Sequence, residues 1–185
     1  MSRSPPPAGS AGSRVRPVAY PTTMETYRII YASIAARPFG AAEFDRLLMQ
    51  ARIYNFSEGI GGLLLRAESQ FLGVLEGPKL AVEALNERIA ADPRHRAVHT
   101  LEAAPVRGPL FRAARLGFAE VEPAALARLA AYLDPSHRLA LLPRGYDEQE
   151  VVADLLLEFV ELHCPHVLGP PDDRAVSRPQ SSQYA

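Results

Sequence analysis

A local cluster of basic side chains that could bind an anion lies at the end of the second predicted helix. Arg88, Arg94 and His95 lie close together in the chain, next to the further cation Arg96. Guanidinium groups bind phosphate through several donors at once, so this cluster could hold a phosphorylated ligand. Charged clusters at helix ends are more often simply solvated. Both interpretations stay open from the residues alone.

Two other side chains could form hydrogen bonds to a ligand. Tyr31 lies in a predicted strand, where it could also be an ordinary aromatic on the same face as Tyr27 and Ile29. Asn55 carries a donor and an acceptor on one amide. It could equally be a turn residue that caps backbone groups after the first helix.

A metal site is not expected at the sequence His163-Cys164-Pro165-His166. One thiol and two imidazoles lack the fourth ligand that structural zinc requires, and no matching pair occurs elsewhere. Cys164 is the single cysteine of the chain, which excludes an internal disulfide framework.

The composition is that of a globular protein with extensions. The chain has 185 residues, of which 48% are hydrophobic and 22% are charged, and its 20 Lys and Arg nearly balance its 21 Asp and Glu. We therefore expect no general attraction to nucleic acid or to an anionic membrane. No apolar run approaches the roughly 20 residues of a membrane helix, and the cytoplasm is the expected location.

Changes in composition predict four segments. These are a disordered leader (1–24), a folded domain (25–121), a helical extension (122–168) and a flexible tail (169–185).

Hydrophobic periodicity predicts the elements of the folded domain. Strands are expected at 27–33, 60–66, 70–76, 98–106 and, more weakly, 113–121. Helices are expected from Ala41 to about Ile53 and, after Gly77-Pro78, to about Ala90. The resulting order, β-α-β-β-α-β-β, suits an α+β ferredoxin-like sheet with two helices on one face.

Two further helices are predicted in the extension. The first passes through Leu126, Leu129 and Leu133, and the second carries a broad apolar stripe from Val151 to Val160. The stripe could cover the open face of the sheet or meet another subunit. We favour coverage of the sheet, with some surface left for oligomers.

Four segments resemble, in order and separation, the BLUF family of flavin-dependent blue-light sensors. They are RIIYAS at 28–33, NFSEGIGGLLL at 55–65, FLGVLEGP at 71–78 and AADPRH at 90–95. The match spans roughly residues 26 to 120. Each segment alone is a weak signal, whereas the ordered set is specific.

The resemblance implies FAD or FMN held between the two helices, with the flavin ring directed end-on toward the central strands. By position, Tyr31 resembles the tyrosine that gives an electron to the excited flavin, and Asn55 resembles the asparagine that hydrogen-bonds the ring. Ser33 is implied as a near neighbour of that tyrosine. The other implied residues contact the polar rim, the ribityl chain and the phosphate of the flavin. The full implied set is Tyr31, Ser33, Asn55, Arg88, Asp92, Arg94 and His95.

This chain departs from the family pattern at one end of the implied flavin. Gly73 replaces the glutamine whose amide relays the light response, and Gln70 cannot replace it because an offset of three places it on the other face of the strand. Ala114 and Leu116 align with a semi-conserved Trp and Met, and Tyr54 replaces a residue that is usually polar. Gly73 indicates either a close approach of a ligand to the backbone or loss of selection for photochemistry.

The function expected from these residues is a flavin-binding signalling protein with an altered light response. Its output is expected to pass by contact through the C-terminal helices to an unknown protein effector, and self-association is expected. The alternative is a light-insensitive, cofactor-free interaction module on the same fold. An enzyme is not expected, because no nucleophile and base form a convincing pair.

Overall fold

The computed structural model describes residues 26–111, 116–136 and 147–168. These ranges contain β1 (Thr26–Ala35), α1 (Ala41–Glu58), β2 (Gly61–Ala67), β3 (Gln70–Gly77), α2 (Lys79–Ala91), β4 (His95–Val106), β5 (Leu116–Glu120), α3 (Pro123–Leu133), α4 (Glu148–His163) and a final 3-10 turn (Pro165–Leu168). The predicted leader (1–24), the predicted tail (169–185) and Ala114 lie outside the described residues.

The strands form one sheet in the order β4-β1-β3-β2-β5. β1 is antiparallel to both of its neighbours, β3 is antiparallel to β2, and β5 runs parallel to β2 at the edge. α1 connects β1 to β2, and α2 connects β3 to β4, so each helix crosses over the strand that lies between its two ends. This is the predicted ferredoxin-like α+β arrangement.

Both predicted domain helices pack on the same face of the sheet. Phe44 and Leu48 of α1 pack with Phe71 of β3, and Val82 of α2 packs with Ile29 of β1. Alternate residues of the strands point to this face because side chains in a strand have a period of two.

The opposite face is covered by α3 and α4. Their buried side chains Leu126, Leu129, Leu133, Val152, Leu156 and Val160 share one core with Ile30, Leu65, Leu72 and Val74 of the sheet. Of the two alternatives for the second C-terminal helix, coverage of the sheet is the one observed. None of the helices in the described ranges has the length and apolar character that crossing a membrane requires.

α1 is longer than predicted. It continues past the expected end near Ile53 to Glu58 and ends at Gly59, whose φ of 67° is left-handed and whose N–H donates to the carbonyls of Asn55 and Phe56. Glycine adopts this conformation without steric cost. The pattern underestimated the helix because Asn55, a polar residue, is one of its buried positions.

β4 begins earlier than the predicted Val98, at His95. Its pairing with β1 shifts register between Ala32 and Ile34, and Ala97 has a φ of 50°. These are the marks of a β-bulge, which breaks the two-residue period that the sequence prediction depends on.

Candidate functional site

A cavity of about 600 Å³ lies between α1 and α2 over the central strands. Its volume falls within the range of roughly 300–1,000 Å³ that small-molecule sites occupy. Its apolar walls come from both helices and from the strands, through Leu47, Ala51, Leu64, Leu75, Leu85, Ile89 and Leu116. Six of the seven predicted binding residues line it, namely Tyr31, Asn55, Arg88, Asp92, Arg94 and His95.

The apolar side chains of α1 form two groups. Phe44 and Leu48 pack into the core, whereas Leu47 and Ala51 line the cavity. Gln50, a polar residue of the same helix, also lines the cavity. Gln50 precedes Tyr54, another lining residue, by one helical turn, and this spacing is the signal that could have identified it.

Asn55 is the most deeply buried polar residue of the cavity wall, with 2% of its surface exposed. Its backbone carbonyl accepts a hydrogen bond from the Ile60 N–H at 2.8 Å. Its interpretation as a turn residue after the helix is wrong, because it lies within α1. Its side-chain amide forms no hydrogen bond with any other described residue. A buried amide without a protein partner is a natural contact for a polar ligand edge.

Ser33 is not among the residues that line the cavity. It lies behind His95, with its Oγ hydrogen-bonded to His95 Nδ1 at 2.9 Å. Burial lowers the pKa of His95, the main effect on it, while Asp92 opposes the shift and Arg94 adds to it. A neutral imidazole oriented by Ser33 is therefore expected at neutral pH.

The two arginines at the rim of the cavity differ in their electrostatic state. Arg94 forms an ion pair with Asp92, and its Nε donates to Asp92 Oδ1 at 2.9 Å. These hydrogen bonds lower the pKa of Asp92 to about 2. Arg88 instead lies over the ring of Tyr54, with 4.3 Å between its Cζ and the ring centroid. Within the described residues, Arg88 forms no ion pair and its charge is available to an anionic ligand.

Tyr31 and Gly73 face each other across β1 and β3. The Tyr31 ring fills the space above Gly73 so closely that a Cβ built on Gly73 would overlap it. The space that a side chain at position 73 would need is thus occupied by the tyrosine. Burial raises the pKa of Tyr31, so its hydroxyl stays protonated at neutral pH. Gln70 is exposed at the start of β3 and has no part in this contact.

The fold and the cavity define the class of protein. It is a ferredoxin-like α+β domain that presents, between its two crossover helices, an apolar cavity with a buried amide at one side and cationic groups at its rim.

Comparisons with known proteins identify the family. Residues 26–117 match the model of the BLUF family, described as sensors of blue-light using FAD. The chain is 38% identical over 90 residues to subunit beta of a photoactivated adenylate cyclase from Euglena gracilis, an alignment that covers 49% of this chain and 10% of the relative. This chain belongs to the BLUF family.

Solved structures agree with this assignment. The dark-state structure of the BLUF protein BlrB has a TM-score of 0.52 at 24% identity, covers 75% of this chain and 96% of its own, and shows likeness of fold. Klebsiella pneumoniae BlrP1, in a calcium and cyclic-diGMP complex, has a TM-score of 0.52 at 27% identity over 74% of this chain and 34% of its own. The chain spans about a tenth of the curated relatives that it matches.

Proposed function

We propose that this chain is a sensory module, not an enzyme, and that it binds FAD or FMN in the cavity between α1 and α2. The observation that carries this proposal is the buried Asn55 amide, which lines the cavity and has no hydrogen-bond partner among the described residues. An amide offers one donor and one acceptor, which suits the alternating polar edge of a flavin ring. The apolar walls supply a packing surface for such a ring.

Other predicted residues are proposed to contact the remaining parts of the flavin. Arg88 is the better candidate for the phosphate, since Arg94 is already neutralised by Asp92. We propose that His95 contacts the ribityl chain, and its hydrogen bond to Ser33 and its position in the cavity lining support this. A bound flavin would supply the absorption of blue light, and these residues would hold it.

The light response is expected to be altered, because the relay amide of the family is replaced by Gly73. Tyr31 occupies the space above Gly73 and stays protonated, so it can donate a hydrogen bond. A tyrosine hydroxyl has its donor and its acceptor on one oxygen, whereas an amide has them on two atoms. The hydroxyl therefore cannot reproduce the change in hydrogen bonding that rotation of an amide produces. We therefore expect flavin absorption without the full red shift of the family.

Absorption spectra of the flavin-reconstituted protein, taken in the dark and after blue light, test this function. We expect flavin bands with little light-induced shift, and Asn55→Ala should weaken flavin binding about 10-fold. Asn86→Ala removes an amide of α2 that does not line the cavity and should bind flavin normally. A colourless protein would favour the cofactor-free interaction module instead.

The role of Gly73 is tested by two substitutions that disturb Tyr31 in the same way. Both Gly73→Ala and Gly73→Gln introduce a Cβ that overlaps the Tyr31 ring, so the ring must move in each. Only the glutamine adds an amide. We expect the red-shifted state to appear in Gly73→Gln and not in Gly73→Ala. A clear reversible shift in the unmodified protein would contradict the proposal.

We propose further that the output passes through α3 and α4 to a protein effector, that the chain associates with itself, and that it works in the cytoplasm. In support, Arg28 of β1 donates from Nη2 to the Gln149 carbonyl in the first turn of α4, at 3.4 Å. β1 also carries Tyr31, so one strand contacts both the cavity and the helix on the opposite face. Cys164 is a buried free thiol, which is compatible with a reducing compartment.

A further inference from the structure

Two side chains, one from each helix that encloses the cavity, meet on its exposed side. They are Tyr54 of α1 and Arg88 of α2, and both line the cavity. The Cζ atom of Arg88 lies 4.3 Å from the centroid of the Tyr54 ring. At this distance a guanidinium group and an aromatic ring attract each other through a cation–π contact.

This contact leaves the positive charge of Arg88 available to a ligand, because a tyrosine ring is neutral. The other cationic groups of the cavity wall are in a different state. Arg94 forms an ion pair with Asp92, and burial lowers the pKa of His95, so its imidazole is expected to be neutral at neutral pH. Among the described residues that line the cavity, Arg88 is therefore the cation that no carboxylate neutralises.

The Tyr54 ring also restricts the orientation of the guanidinium group. An exposed arginine has several rotatable bonds, and ordering them when a ligand binds costs conformational entropy. Stacking on a ring fixes the guanidinium plane, while its N–H groups at the edge of that plane remain free. Two of these donors can then bind a phosphate group together. Tyr54 is thus placed to order Arg88 before an anion arrives.

Burial changes from the inner to the outer side of this part of the cavity. Asn55 is 2% exposed, its neighbour Tyr54 is partly buried, and Arg88 is exposed. A ligand that fits this order has a polar ring edge at its buried end and an ionic group at its exposed end. The ionic group can keep part of its hydration there, which avoids the cost of burying a charge.

We propose that Tyr54 is a positioning residue that holds Arg88 for a phosphate group, and that this pair makes the cavity select phosphorylated flavins over riboflavin. The inference rests on the flavin binding proposed above, and it adds the chemical class of flavin and the residue that helps to decide it. Because water screens the exposed Arg88, the gain is limited, and we expect FMN to bind about 10-fold more tightly than riboflavin.

Equilibrium titration of the full chain with FMN and with riboflavin, followed by flavin fluorescence, tests the pair. The two ligands differ only in the phosphate, so the ratio of their dissociation constants isolates its contribution. Arg88→Gln should abolish the preference for FMN. Tyr54→Leu should reduce the preference by about threefold or more, whereas Tyr54→Phe keeps the ring and should keep the preference. Added salt should weaken the binding of FMN but not that of riboflavin.

Tyr27 provides a matched control for Tyr54. Both tyrosines pack against the same buried cluster, and Lys79 Nζ lies over the Tyr27 ring at 5.1 Å from its centroid. Neither Tyr27 nor Lys79 lines the cavity, so Tyr27→Leu should leave the preference for FMN unchanged. Asn55→Ala should weaken both flavins to the same degree, because its amide is proposed to contact the ring that they share.

The titrations distinguish failure of this inference from failure of the proposed function. Equal affinity of the unmodified chain for FMN and riboflavin would overturn the inference and leave flavin binding intact. So would a Tyr54→Leu variant that weakens both flavins equally, since the ring would then contribute only packing. If neither flavin binds, the proposed function is wrong and this inference is wrong with it.

Discussion

At the scale of single residues, the glycine at position 73 allows the Tyr31 ring to pack directly on the neighbouring strand. Gly73 has no Cβ, and the Tyr31 ring packs directly against its backbone. The ring is thereby buried, and burial raises its pKa. Tyr31 thus lines the cavity and also fills the space above the backbone of Gly73. The Gly73→Gln and Gly73→Ala pair therefore reports on both the packing of the tyrosine and the missing amide.

A buried ion cluster, formed by Arg28, Glu76 and Glu102, lies on the other face of the sheet. Arg28 Nε donates to Glu102 Oε1 at 3.0 Å, and its Nη1 lies 3.6 Å from Glu76 Oε1. Glu76 also accepts a hydrogen bond from the Phe111 N–H at 2.9 Å. Desolvation is the largest effect on Glu76 and raises its pKa to about 7, even though these partners act in the opposite direction. The cluster joins three strands to the segment after β4.

Glu76→Gln should change how stability depends on pH. Between its ordinary pKa and about 7, folded Glu76 keeps a proton that the unfolded chain has released. The free energy of unfolding should therefore fall as the pH rises through this interval, by roughly 1–3 kcal/mol from this residue. Glutamine does not titrate, so the variant should lose this decline. Urea unfolding at about pH 5 and about pH 8 measures it.

Comparing the unmodified chain with Glu76→Gln separates the contribution of Glu76 to the pH dependence of stability from the contributions of other titrating groups. His95 has a lowered pKa and contributes a slope of opposite sign below its ordinary value, but it does so in both proteins. Glu83→Gln, a change on the surface of α2, should leave the original slope. Parallel pH curves for Glu76→Gln and the unmodified chain would show that Glu76 is ionised throughout.

At the scale of elements, the bulge in β4 decides which side chain faces the cavity. Ala32 pairs with His99, whereas Ala35 pairs with His95, so one extra residue of β4 lies between them. Without it, Arg96 would pair with Ala35, and His95 would point to the opposite face. The hydrogen bond between Ser33 and His95 therefore depends on this insertion, which is one of two register shifts between β1 and β4.

Substitution of Ala97 tests the conformation of the bulge. Its φ of 50° costs an alanine about 1 kcal/mol but costs a glycine almost nothing. Ala97→Gly should therefore be neutral or stabilise the protein by up to about 1 kcal/mol. Ala103→Gly, in the same strand with ordinary φ, should destabilise it by about 0.5–1 kcal/mol. Equal losses of stability in urea unfolding would indicate that Ala97 has a regular strand conformation.

At the scale of the whole molecule, the sheet is covered on both faces by different parts of the chain. α1 and α2 form the cavity on one face, and α3 and α4 complete the core on the other. Asp147 caps α4 by accepting a hydrogen bond from the Gln149 N–H at 3.0 Å. The C-terminal helices are thus part of the same core as the strands that carry the cavity residues.

Two leucines of α4 measure its contribution to stability. Leu156 is completely buried against the sheet, whereas Leu162 is 74% exposed. Leu156→Ala should lower the free energy of unfolding by about 2–5 kcal/mol, because it leaves a cavity in the core. Leu162→Ala should change it by less than about 0.5 kcal/mol. Similar values for the two would mean that α4 is not packed against the sheet in solution.

Much of this molecule could be predicted from local patterns. The order of strands and helices, the ferredoxin-like sheet and the family resemblance follow from periodicity and from ordered motifs, which depend on residues close together in the chain. Predictions were poorest at element ends, where a local interaction changes the period. The predicted end of α1 near Ile53 is too early because a later turn of the helix buries a polar residue, Asn55. The predicted start of β4 is too late because its bulge breaks the two-residue period.

The sequence by itself determined which residues could bind a ligand and which elements carry them, because residue type and short-range period are local properties. Only the tertiary structure decided that Tyr31 fills the space above Gly73, that His95 turns toward Ser33, and that α4 covers the sheet. Each of these depends on packing between segments that are far apart in the chain. No local pattern contains that information, since the partner of each side chain is set by the register and crossing of whole elements.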